Sequence, residues 1–455
     1  MTDDSSELFC PLEFRYGRER VRDLFSRDAR LGRALRVEAA LAAAQAEEGM
    51  VPRESAAAIA KVADTEHVPV EKVDALERTL RHDVMAMTRA LAEAAGPAGR
   101  WVHYGATSAD ITETALALEL KESVAILRGD LVGLARSLAD LARKHRATPE
   151  IARTHGQHGI PMSFGYKMAV AAAEVARHRR RLDELEHRLV VGKMAGAVGT
   201  GAGFGDHAVA VEAGTLRRLG VAADEAPTQL VGRDRIAEFT NWLALVAATA
   251  ERLSTEVRNL QRTEIGEIAE PFDESAQVGS STMAQKRNPI VSENVTSLAR
   301  LVRAFALPPL DNMVQWHERD LANSANERIV IPHAIVLTDD ILVKLTEIFT
   351  GLRVNPARMA EEVARSGGAA MTESLMLALT SKGLARSEAH ELLRQLTREP
   401  SQGPSLAERA MADATVRRYL EAKEIAELVD PASYVRAAAS KTDRILTAIS
   451  RDLEG

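Results

Sequence analysis

The chain has 455 residues, of which 46% are hydrophobic, 27% are charged and 4% are aromatic. Its formal net charge of -7 excludes a broad basic surface for nucleic acid or for an anionic membrane. The single cysteine, Cys10, excludes an internal disulfide and a multi-cysteine metal site, and this fits a reducing compartment. The length allows two or three domains, and the abundance of alanine and leucine favours long helices over sheets.

The N-terminal residues and the apolar runs indicate where in the cell the protein is located. The acidic opening MTDDSSELF lacks the basic and apolar regions of a signal peptide. Apolar runs such as LALVAATA are too short to cross a bilayer. We therefore expect a cytoplasmic protein without a membrane segment.

Long helices are predicted in chain order from helical spacing of apolar residues. The first begins after Ser26, a candidate N-cap, and stops near Gly49. Residues 111–145 carry an apolar stripe at helical spacing, and residues 163–192 and 235–268 form two further long segments. These lengths predict an all-α protein with a long central helix bundle.

Three helical domains are predicted: residues 1–105, the central bundle at 106–353, and shorter helices at 354–455. The glycine-rich run GAVGTGAGFGDH interrupts the bundle helices. No strand precedes it and no βαβ unit surrounds it, so a dinucleotide-binding fold is excluded.

One polar loop, GSSTMAQKRNPIVSEN at residues 279–294, is either a flexible linker or a functional loop. Asn288 before Pro289 is predicted as the N-cap and first-turn proline of the next helix. The hydroxyls and backbone N–H groups of GSSTM lie beside Lys286 in the sequence, and together they are suited to bind a carboxylate or a developing oxyanion.

Two other polar stretches lie near predicted helix ends. In GATSAD, Thr107 or Ser108 is a candidate helix cap, which by itself needs no further function. In RTHGQH, His155 and His158 could form a metal pair, but no acidic or cysteine ligand is near them in sequence and the HExxH helix pattern is absent. Acid–base work by one histidine, or a purely structural role, is favoured over a metal.

The stretch WHERDLANSANERI contains Arg319, Ser324 and Arg328. In a helix, the four-residue spacing places Ser324 and Arg328 on one face, with Arg319 rotated slightly away. Such a group can hold a phosphate through forked hydrogen bonds. The alternative is a solvated turn with local ion pairs.

Taken together, these stretches resemble the fumarase/aspartase superfamily, whose shared loop has the form GSSxMPxKxNP and reads GSSTMAQKRNP here. The similarity continues through WVHYGATSADITETA, RTHGQHGIPMSFGYK, KMAGAVGT and TQLVGRDR, in order and over most of the chain. Within the superfamily the chain is most similar to the adenylosuccinate lyase family. The resemblance implies three helical domains, a homotetramer with a shared core bundle, active sites shared between subunits, and no metal or organic cofactor.

The resemblance also implies roles for individual residues. The catalytic set would be Ser280 as general base, His155 as general acid with Glu293 as its charge partner, and His82 at the same site. Lys286 and Asn288, assisted by Thr107 and Ser108, would hold the succinyl carboxylate. The nucleotide phosphate would contact Arg15, Tyr16, Arg319, Ser324 and Arg328. Gln229 would lie near the base and the leaving nitrogen, and Arg81 and Asp83 would bind the substrate as well.

The implied reaction is a non-hydrolytic C–N elimination that releases fumarate from adenylosuccinate and from succinylaminoimidazole carboxamide ribotide. The sequence departs from the family at Ala284, Gln285 and Leu80, where a proline, an aromatic residue or histidine, and a threonine are usual. Two alternatives therefore stay open: a related lyase or cycloisomerase with another succinyl-type substrate, and a non-catalytic helical scaffold.

Overall fold

The computed structural model describes residues 10–398 and 403–454, so the acidic opening 1–9 lies outside the described residues. The described residues form α-helices, with strands of only two to seven residues between them. The all-α prediction is therefore confirmed. None of the helices in these ranges combines the length and the apolarity that a membrane-spanning segment requires.

The helices of the N-terminal and central parts include the longest in the structure. They are α1 (Pro11–Phe14), α2 (Glu19–Arg22), α3 (Arg27–Glu47), α4 (Arg53–Lys61), α5 (Val70–Leu80), α6 (Asp83–Ala94), α7 (Ser108–Lys144), α8 (Phe164–Leu189), α9 (Ala208–Leu219), α10 (Asp234–Leu260), α11 (Ile290–Ala304), α12 (Leu307–Asp311) and α13 (Ser324–Thr350). The predicted long segments correspond to α3, α7, α8 and α10.

The remaining elements are shorter. The helices are α14 (Pro356–Ala364), α15 (Thr372–Ser381), α16 (Arg386–Leu396), α17 (Leu406–Ala412), α18 (Ala414–Tyr419), α19 (Ala422–Leu428) and α20 (Ala432–Ala448). The strands are β1 (Pro149–Thr154), β2 (Gln157–Ser163), β3 (Val191–Gly192), β4 (Ala222–Ala223), β5 (Ile268–Ala269) and β6 (Arg353–Val354).

Local signals explain where the helices begin and end. The hydroxyl of Ser26 accepts a hydrogen bond from the N–H of Ala29 at 3.2 Å, so the predicted N-cap of α3 is confirmed. Gly49, just beyond that helix, has a φ of 73°. The prediction extended α10 to residue 268, but the helix ends at Leu260. Gly266, with a φ of 64°, turns the chain back, and the N–H of Glu267 bonds to the carbonyl of Leu260.

The chain divides into two compact units. The first comprises Met1–Leu131, His178–Glu251 and Ser297–Val343, and the second comprises Val132–Arg177, Arg252–Thr296 and Lys344–Gly455. The three-domain division of the sequence rests on other criteria and stays a prediction.

In the first unit, α3 packs against α4 and α9, and α5 packs against α6. Strands β3 and β4 pair in parallel. The core consists of fully buried aliphatic and aromatic side chains, among them Leu35, Leu41, Ile59, Leu91, Ile111, Leu120, Leu127, Phe204 and Phe239. Burial of such side chains is the main stabilising contribution to a helical core.

In the second unit, β1 and β2 form an antiparallel hairpin against which α14 and α20 pack. Strands β5 and β6 form a second antiparallel pair. The helices from α15 to α19 enclose their own apolar cluster, formed by Leu375, Leu379, Leu384, Ala389, Leu393, Leu406, Ala410, Val416, Leu420 and Ile425.

Two buried carboxylates of the first unit share one guanidinium. Arg18 donates to both oxygens of Asp130 at 2.7 Å and also to Asp339. A second guanidinium, that of Arg20, lies 3.9 Å from Asp130, but its side chain is 60% exposed, so it compensates the two buried carboxylates only weakly. Burial, followed by the neighbouring Asp339, raises the pKa of Asp130 to about 7.

This raised pKa predicts that stability falls as the pH rises. In the unfolded chain Asp130 titrates near its ordinary value of 3.8, so between that pH and about 7 the folded state holds the extra proton. Relative to an Asp130→Asn variant, the wild type is expected to lose on the order of 1 kcal/mol of unfolding free energy per pH unit across this window. Denaturant unfolding at several pH values measures the difference. Asp140→Asn, an exposed change on the same helix, is the control. Parallel pH profiles for wild type and Asp130→Asn would contradict the assignment.

Candidate active site

The first unit contains a cavity of about 1300 Å³. Nine of the residues selected from the sequence line it: Arg81, His82, Asp83, Thr107, Ser108, Gln229, Arg319, Ser324 and Arg328. They come from four separate stretches of the chain, so the fold brings together motifs that are far apart in sequence.

The start of α7 forms one wall of the cavity. Thr107 occupies the N-cap position, and its N–H donates to the carboxylate of Asp110 at 2.9 Å. The same carboxylate pairs with Lys193 and accepts the N–H groups of Ala195 and Gly196 at 3.0 and 3.1 Å. Asp110 and Lys193 are fully buried. The hydroxyls of Thr107 and Ser108 are therefore presented to the cavity by a rigid helix start.

The glycine-rich run forms a tight loop beside Gln229. Gly199 has a φ of 84°, and a side-chain carbon there would approach the carbonyl oxygen of Pro227 to 2.1 Å. Gln229 donates its amide to the carbonyl of Ala197 at 2.7 Å, and its amide oxygen accepts from Nη1 of Arg319 at 2.7 Å. The absence of a side chain at Gly199 thus lets the glycine-rich loop pack closely against the loop at Pro227, and these loops orient Gln229.

The RHDV stretch occupies the junction of α5 and α6. Arg81 ends α5 in the left-handed conformation, with a φ of 53°. His82 is the N-cap of α6, and its Nδ1 accepts the N–H of Met85 at 3.3 Å. When Nδ1 accepts a hydrogen bond, Nε2 carries the proton, so the imidazole can donate into the cavity.

The prediction for Arg319, Ser324 and Arg328 is correct in part. Helix α13 begins at Ser324, so Ser324 and Arg328 share a helical face as predicted. Arg319 lies in the preceding loop, because Asp320 forms turns by accepting the N–H groups of Trp316 and Ala322. Arg319 nevertheless lines the same cavity.

The charges around the cavity are unevenly paired. Arg328 lies 3.0 Å from the carboxylate of Asp83, and both side chains are exposed. Arg81 and Arg319 have no carboxylate within 4.0 Å among the described residues. A guanidinium without an acidic partner in a concave site is well suited to an anionic ligand.

A buried ion cluster that the sequence analysis did not identify also lines the cavity. Arg233 donates to both oxygens of Glu113 and lies 3.1 Å from Glu327, and all three side chains are at most 9% exposed. Burial lowers the pKa of Arg233, but the two glutamates outweigh it and raise that pKa. Burial raises the pKa of Glu327, against the effect of Arg233. All three residues lie in motifs that the sequence analysis quoted, namely Arg233 in TQLVGRDR, Glu113 in WVHYGATSADITETA and Glu327 in WHERDLANSANERI. The pairing between them could not be predicted, because the three motifs are far apart in the chain.

Arg15 and Tyr16 also belong to the first unit, but they do not line this cavity. Arg15 is exposed and lies 6.0 Å from the centre of the Tyr16 ring. Their assignment to phosphate binding stays a prediction.

His155 lies in the second unit, at the tip of the β1–β2 hairpin. Thr154 pairs with Gln157, and the two turn residues His155 and Gly156 have φ values of 54° and 75°. This geometry is typical of a two-residue hairpin turn and leaves the imidazole exposed. Its neighbour His158 lies 3.6 Å from Glu362. Within the described residues, no hydrogen bond or ion pair joins His155 to Glu293, which is exposed in the first turn of α11.

The loop with Ser280 and Lys286 is also in the second unit. The hydroxyl of Ser280 accepts the N–H groups of Thr282 and Met283 at 3.3 and 3.1 Å, and Lys286 is exposed. The prediction that Asn288 caps the next helix with its side chain is wrong. That side chain donates to the carbonyl of Gly279 at 3.1 Å, because Glu270 accepts the first N–H groups of α11 instead.

Metal ligation has no support in residues 10–398 and 403–454. No group of three or more histidine, cysteine, aspartate or glutamate side chains there is arranged to hold an ion. Cys10 is a free thiol whose sulfur lies 3.9 Å from His333.

Residues 13–304 match the family model described as "Lyase", and residues 368–445 match the model described as "Adenylosuccinate lyase C-terminus". The chain is 43% identical over 437 residues to the adenylosuccinate lyase of Pyrococcus abyssi, covering 96% of this chain and 97% of that relative. A fumarate lyase from Mesorhizobium sp. BNC1 has a similar crystal structure, with a TM-score of 0.87, 31% identity and coverage of 95% and 98%. The crystal structure of the 3-carboxy-cis,cis-muconate lactonizing enzyme from Pseudomonas putida is also similar, with a TM-score of 0.85 and 30% sequence identity. The match covers 96% of this chain and 98% of that enzyme.

The buried cluster around Arg233 generates a stability prediction. Arg233→Met is expected to lower the free energy of unfolding by about 3–5 kcal/mol near neutral pH, because two buried glutamates lose their cation. The deficit should be smaller at pH 5 than near neutral pH, because burial raises the pKa of Glu327 and a protonated Glu327 no longer needs a cation. Denaturant unfolding at both pH values measures this. The control is Arg188→Met, which removes an exposed pair with Glu238 and should change little. Equal losses in the two variants would argue against a buried charge cluster.

Proposed function

The chain belongs to the adenylosuccinate lyase family, and we propose that it splits adenylosuccinate into AMP and fumarate without hydrolysis. The same elimination from succinylaminoimidazole carboxamide ribotide would make it a purine-biosynthetic enzyme with two substrates. The observation that carries the proposal is the cavity of the first unit, where nine residues matching the family pattern converge.

The reaction requires a base that removes a proton from the carbon beside a carboxylate. We assign this role to Ser280, which must lose its own proton to act. Its hydroxyl oxygen already accepts two backbone N–H groups, from Thr282 and Met283. Backbone donors aimed at an oxygen stabilise a negative charge there, so this loop geometry favours an alkoxide.

The carbanion formed next spreads its charge into the succinyl carboxylate. We assign Lys286 and Asn288 to bind this doubly charged group, with the hydroxyls of Thr107 and Ser108 assisting. Binding that is stronger for the doubly charged intermediate than for the substrate lowers the barrier of the chemical step.

The C–N bond then breaks, and the leaving nitrogen needs a proton. We assign this proton to His155, with Glu293 as its charge partner, and place His82 and Gln229 beside the substrate. The proton taken by the base and the proton given by the acid balance, so fumarate and the amine are the only products. Exposure of His155 at a hairpin tip leaves its ring free to reach a bound substrate.

For the nucleotide phosphate we assign Arg15, Tyr16, Arg319, Ser324 and Arg328. Arg319 supports this assignment best, because it faces the cavity with only Gln229 as its side-chain partner among the described residues. Arg81 and Asp83 lie at the same cavity and are assigned to the nucleotide as well.

We further propose a cytoplasmic homotetramer whose active sites combine loops from different subunits. The support is a row of exposed apolar side chains in the first unit: Leu307, Leu310, Met313, Val314 and Trp316, each at least 44% exposed. Contiguous apolar surface of this kind indicates a protein interface, and a second copy of the chain is the expected partner.

A cycloisomerase acting on 3-carboxymuconate is the second candidate, because the Pseudomonas putida enzyme has a similar fold. The match to the adenylosuccinate lyase C-terminus model and the full-length similarity to an adenylosuccinate lyase favour the nucleotide, since arginines bind the carboxylates of a muconate as well as they bind a phosphate. Substrate trials separate the two candidates directly.

The proposed function predicts fumarate release from adenylosuccinate, followed by ultraviolet absorbance and by assay of fumarate itself. Ser280→Ala should lower kcat by about a thousandfold or more while leaving the fold intact, because it removes only the base. Ser275→Ala, a serine that bonds locally to Asp273, is the matched control and should stay near the wild type. No release from folded wild type would refute the substrate, and turnover of 3-carboxymuconate instead would establish the second candidate.

The phosphate assignment gives a separate prediction. Arg319→Met should raise the KM for adenylosuccinate about tenfold or more, because a charge-assisted bond to phosphate is lost in both ground and transition states. Steady-state kinetics measure KM and kcat. Arg300→Met, which removes an exposed arginine paired with Glu251, serves as control. An unchanged KM in Arg319→Met would show that the phosphate binds elsewhere.

A further inference from the structure

The helix that follows the Ser280 loop has an unusual start. Helix α11 begins at Ile290, so the position before it is Pro289, whose side chain has no hydrogen-bond acceptor. The first N–H groups of a helix lack partners within the helix and need acceptors from elsewhere. Glu270 provides them from twenty residues upstream, accepting the N–H of Val291 at 3.2 Å and of Ser292 at 2.5 Å.

Glu270 is suited to this task by burial and charge. Its side chain belongs to a residue that is 5% exposed, and no cation lies within 4.0 Å of its carboxylate among the described residues. The positive end of the α11 dipole therefore compensates its charge. A buried carboxylate that depends on two backbone N–H groups holds the helix start in one place.

A second set of hydrogen bonds joins the segment that contains Glu270 to the Ser280 loop. The N–H of Glu270 donates to the side-chain oxygen of Gln261 at 2.9 Å. The amide of Gln261 donates in turn to the carbonyl of Arg287 at 3.2 Å. The chain from Arg287 to Ser292 is thus bound at two points to residues 261–270.

The loop has little else to fix its position. Asn288 closes it by donating to the carbonyl of Gly279, and residues 281–287 are exposed. Arg287 pairs with Glu274 at 2.9 Å, and its guanidinium lies 4.8 Å from the centre of the Phe272 ring. The Arg287 and Glu274 side chains are about half exposed, so these two contacts contribute little. The placement of Ser280 and Lys286 therefore depends on how the end of the loop is anchored.

From these contacts we infer that Glu270 is a positioning residue, which anchors the Ser280 loop by binding the N-terminus of α11. It touches neither substrate nor reacting atoms. The inference rests on the proposed function, because only that function gives Ser280 a proton to remove. A misplacement of about 1 Å at a reacting group can cost about a hundredfold in rate, so an anchor of this kind matters for catalysis.

The test compares Glu270→Ala, which removes the acceptors, with Glu270→Gln, which keeps one acceptor oxygen without the charge. Trypsin reports the loop position, because Lys286 and Arg287 are exposed cleavage sites within it. In Glu270→Ala, cleavage at these two sites should accelerate about tenfold at a temperature where the rest of the chain stays folded. Glu270→Gln should lie between Glu270→Ala and the wild type. Glu264→Gln, which removes an exposed charge paired with Arg262 outside the loop, is the matched control.

Kinetics on adenylosuccinate give the second readout. The kcat of Glu270→Ala should fall about tenfold to a hundredfold, while KM changes less than about threefold, because phosphate binding belongs to other residues. Thermal unfolding of each variant measures any general loss of stability.

Each possible outcome either supports or contradicts the proposal that Glu270 anchors the loop. Faster cleavage confined to Lys286 and Arg287, together with a selective fall in kcat, supports the anchor. A fall in stability with unchanged or chain-wide cleavage overturns it, since the carboxylate would then serve only the helix. A kcat and cleavage rate within twofold of wild type also overturn it. If the wild type releases no fumarate, the proposed function fails, and the cleavage comparison still decides whether Glu270 anchors the loop.

Discussion

The buried ion pair between Asp110 and Lys193 is the interaction on which the cavity of the first unit depends. Both side chains are fully buried, so the loss of either charge would leave the other uncompensated in a low-dielectric interior. The Asp110 carboxylate also collects backbone N–H groups from the start of α7 and from residues 195–196. These bonds fix the position of the adjacent Ala197, whose carbonyl accepts the amide of Gln229. The amide oxygen of Gln229 in turn orients Arg319. One carboxylate thus influences the position of the Arg319 guanidinium, to which it is not bonded.

The electrostatics of this cavity follow from which arginines are already paired. Arg233 is committed to Glu113 and Glu327 and adds no net positive charge for a ligand. Arg328 is shared with Asp83 at an exposed position, where a phosphate can compete for it. Arg319 donates only to a neutral amide, so its charge stays available. An acidic chain with a net charge of -7 can therefore still present to a ligand a guanidinium, that of Arg319, which is paired with no carboxylate of the described residues.

Sequence periodicity predicted the long helices because apolar spacing and caps are local signals, as Ser26 at the start of α3 illustrates. The motifs identified the cavity residues, since their polar types stand out against apolar helices. The contacts between these residues could not be predicted, because they join residues that are far apart in the sequence. Glu270 looks like any acidic residue before a proline, and its partners are main-chain N–H groups twenty residues away. The side chain of Asn288 matched a local cap pattern, but a nonlocal carboxylate took the acceptor role and left the amide to close the loop.

The two units solve the same physical problem in the same way. A loop that carries catalytic or binding groups must be polar and exposed, so it has little apolar surface with which to hold its position. In both units a buried carboxylate at a helix N-terminus binds backbone N–H groups. Lys193 neutralises the charge of Asp110, whereas the N–H groups and the dipole of α11 compensate the charge of Glu270. Asp110 does this at α7 for the loop beside Gln229, and Glu270 does it at α11 for the loop with Ser280. The hydrogen bonds run to the backbone, so they constrain the path of the chain while the side chains of the loop remain free to differ. A substitution such as Ala284 or Gln285 inside the loop therefore leaves the anchor intact, whereas a change at the carboxylate does not.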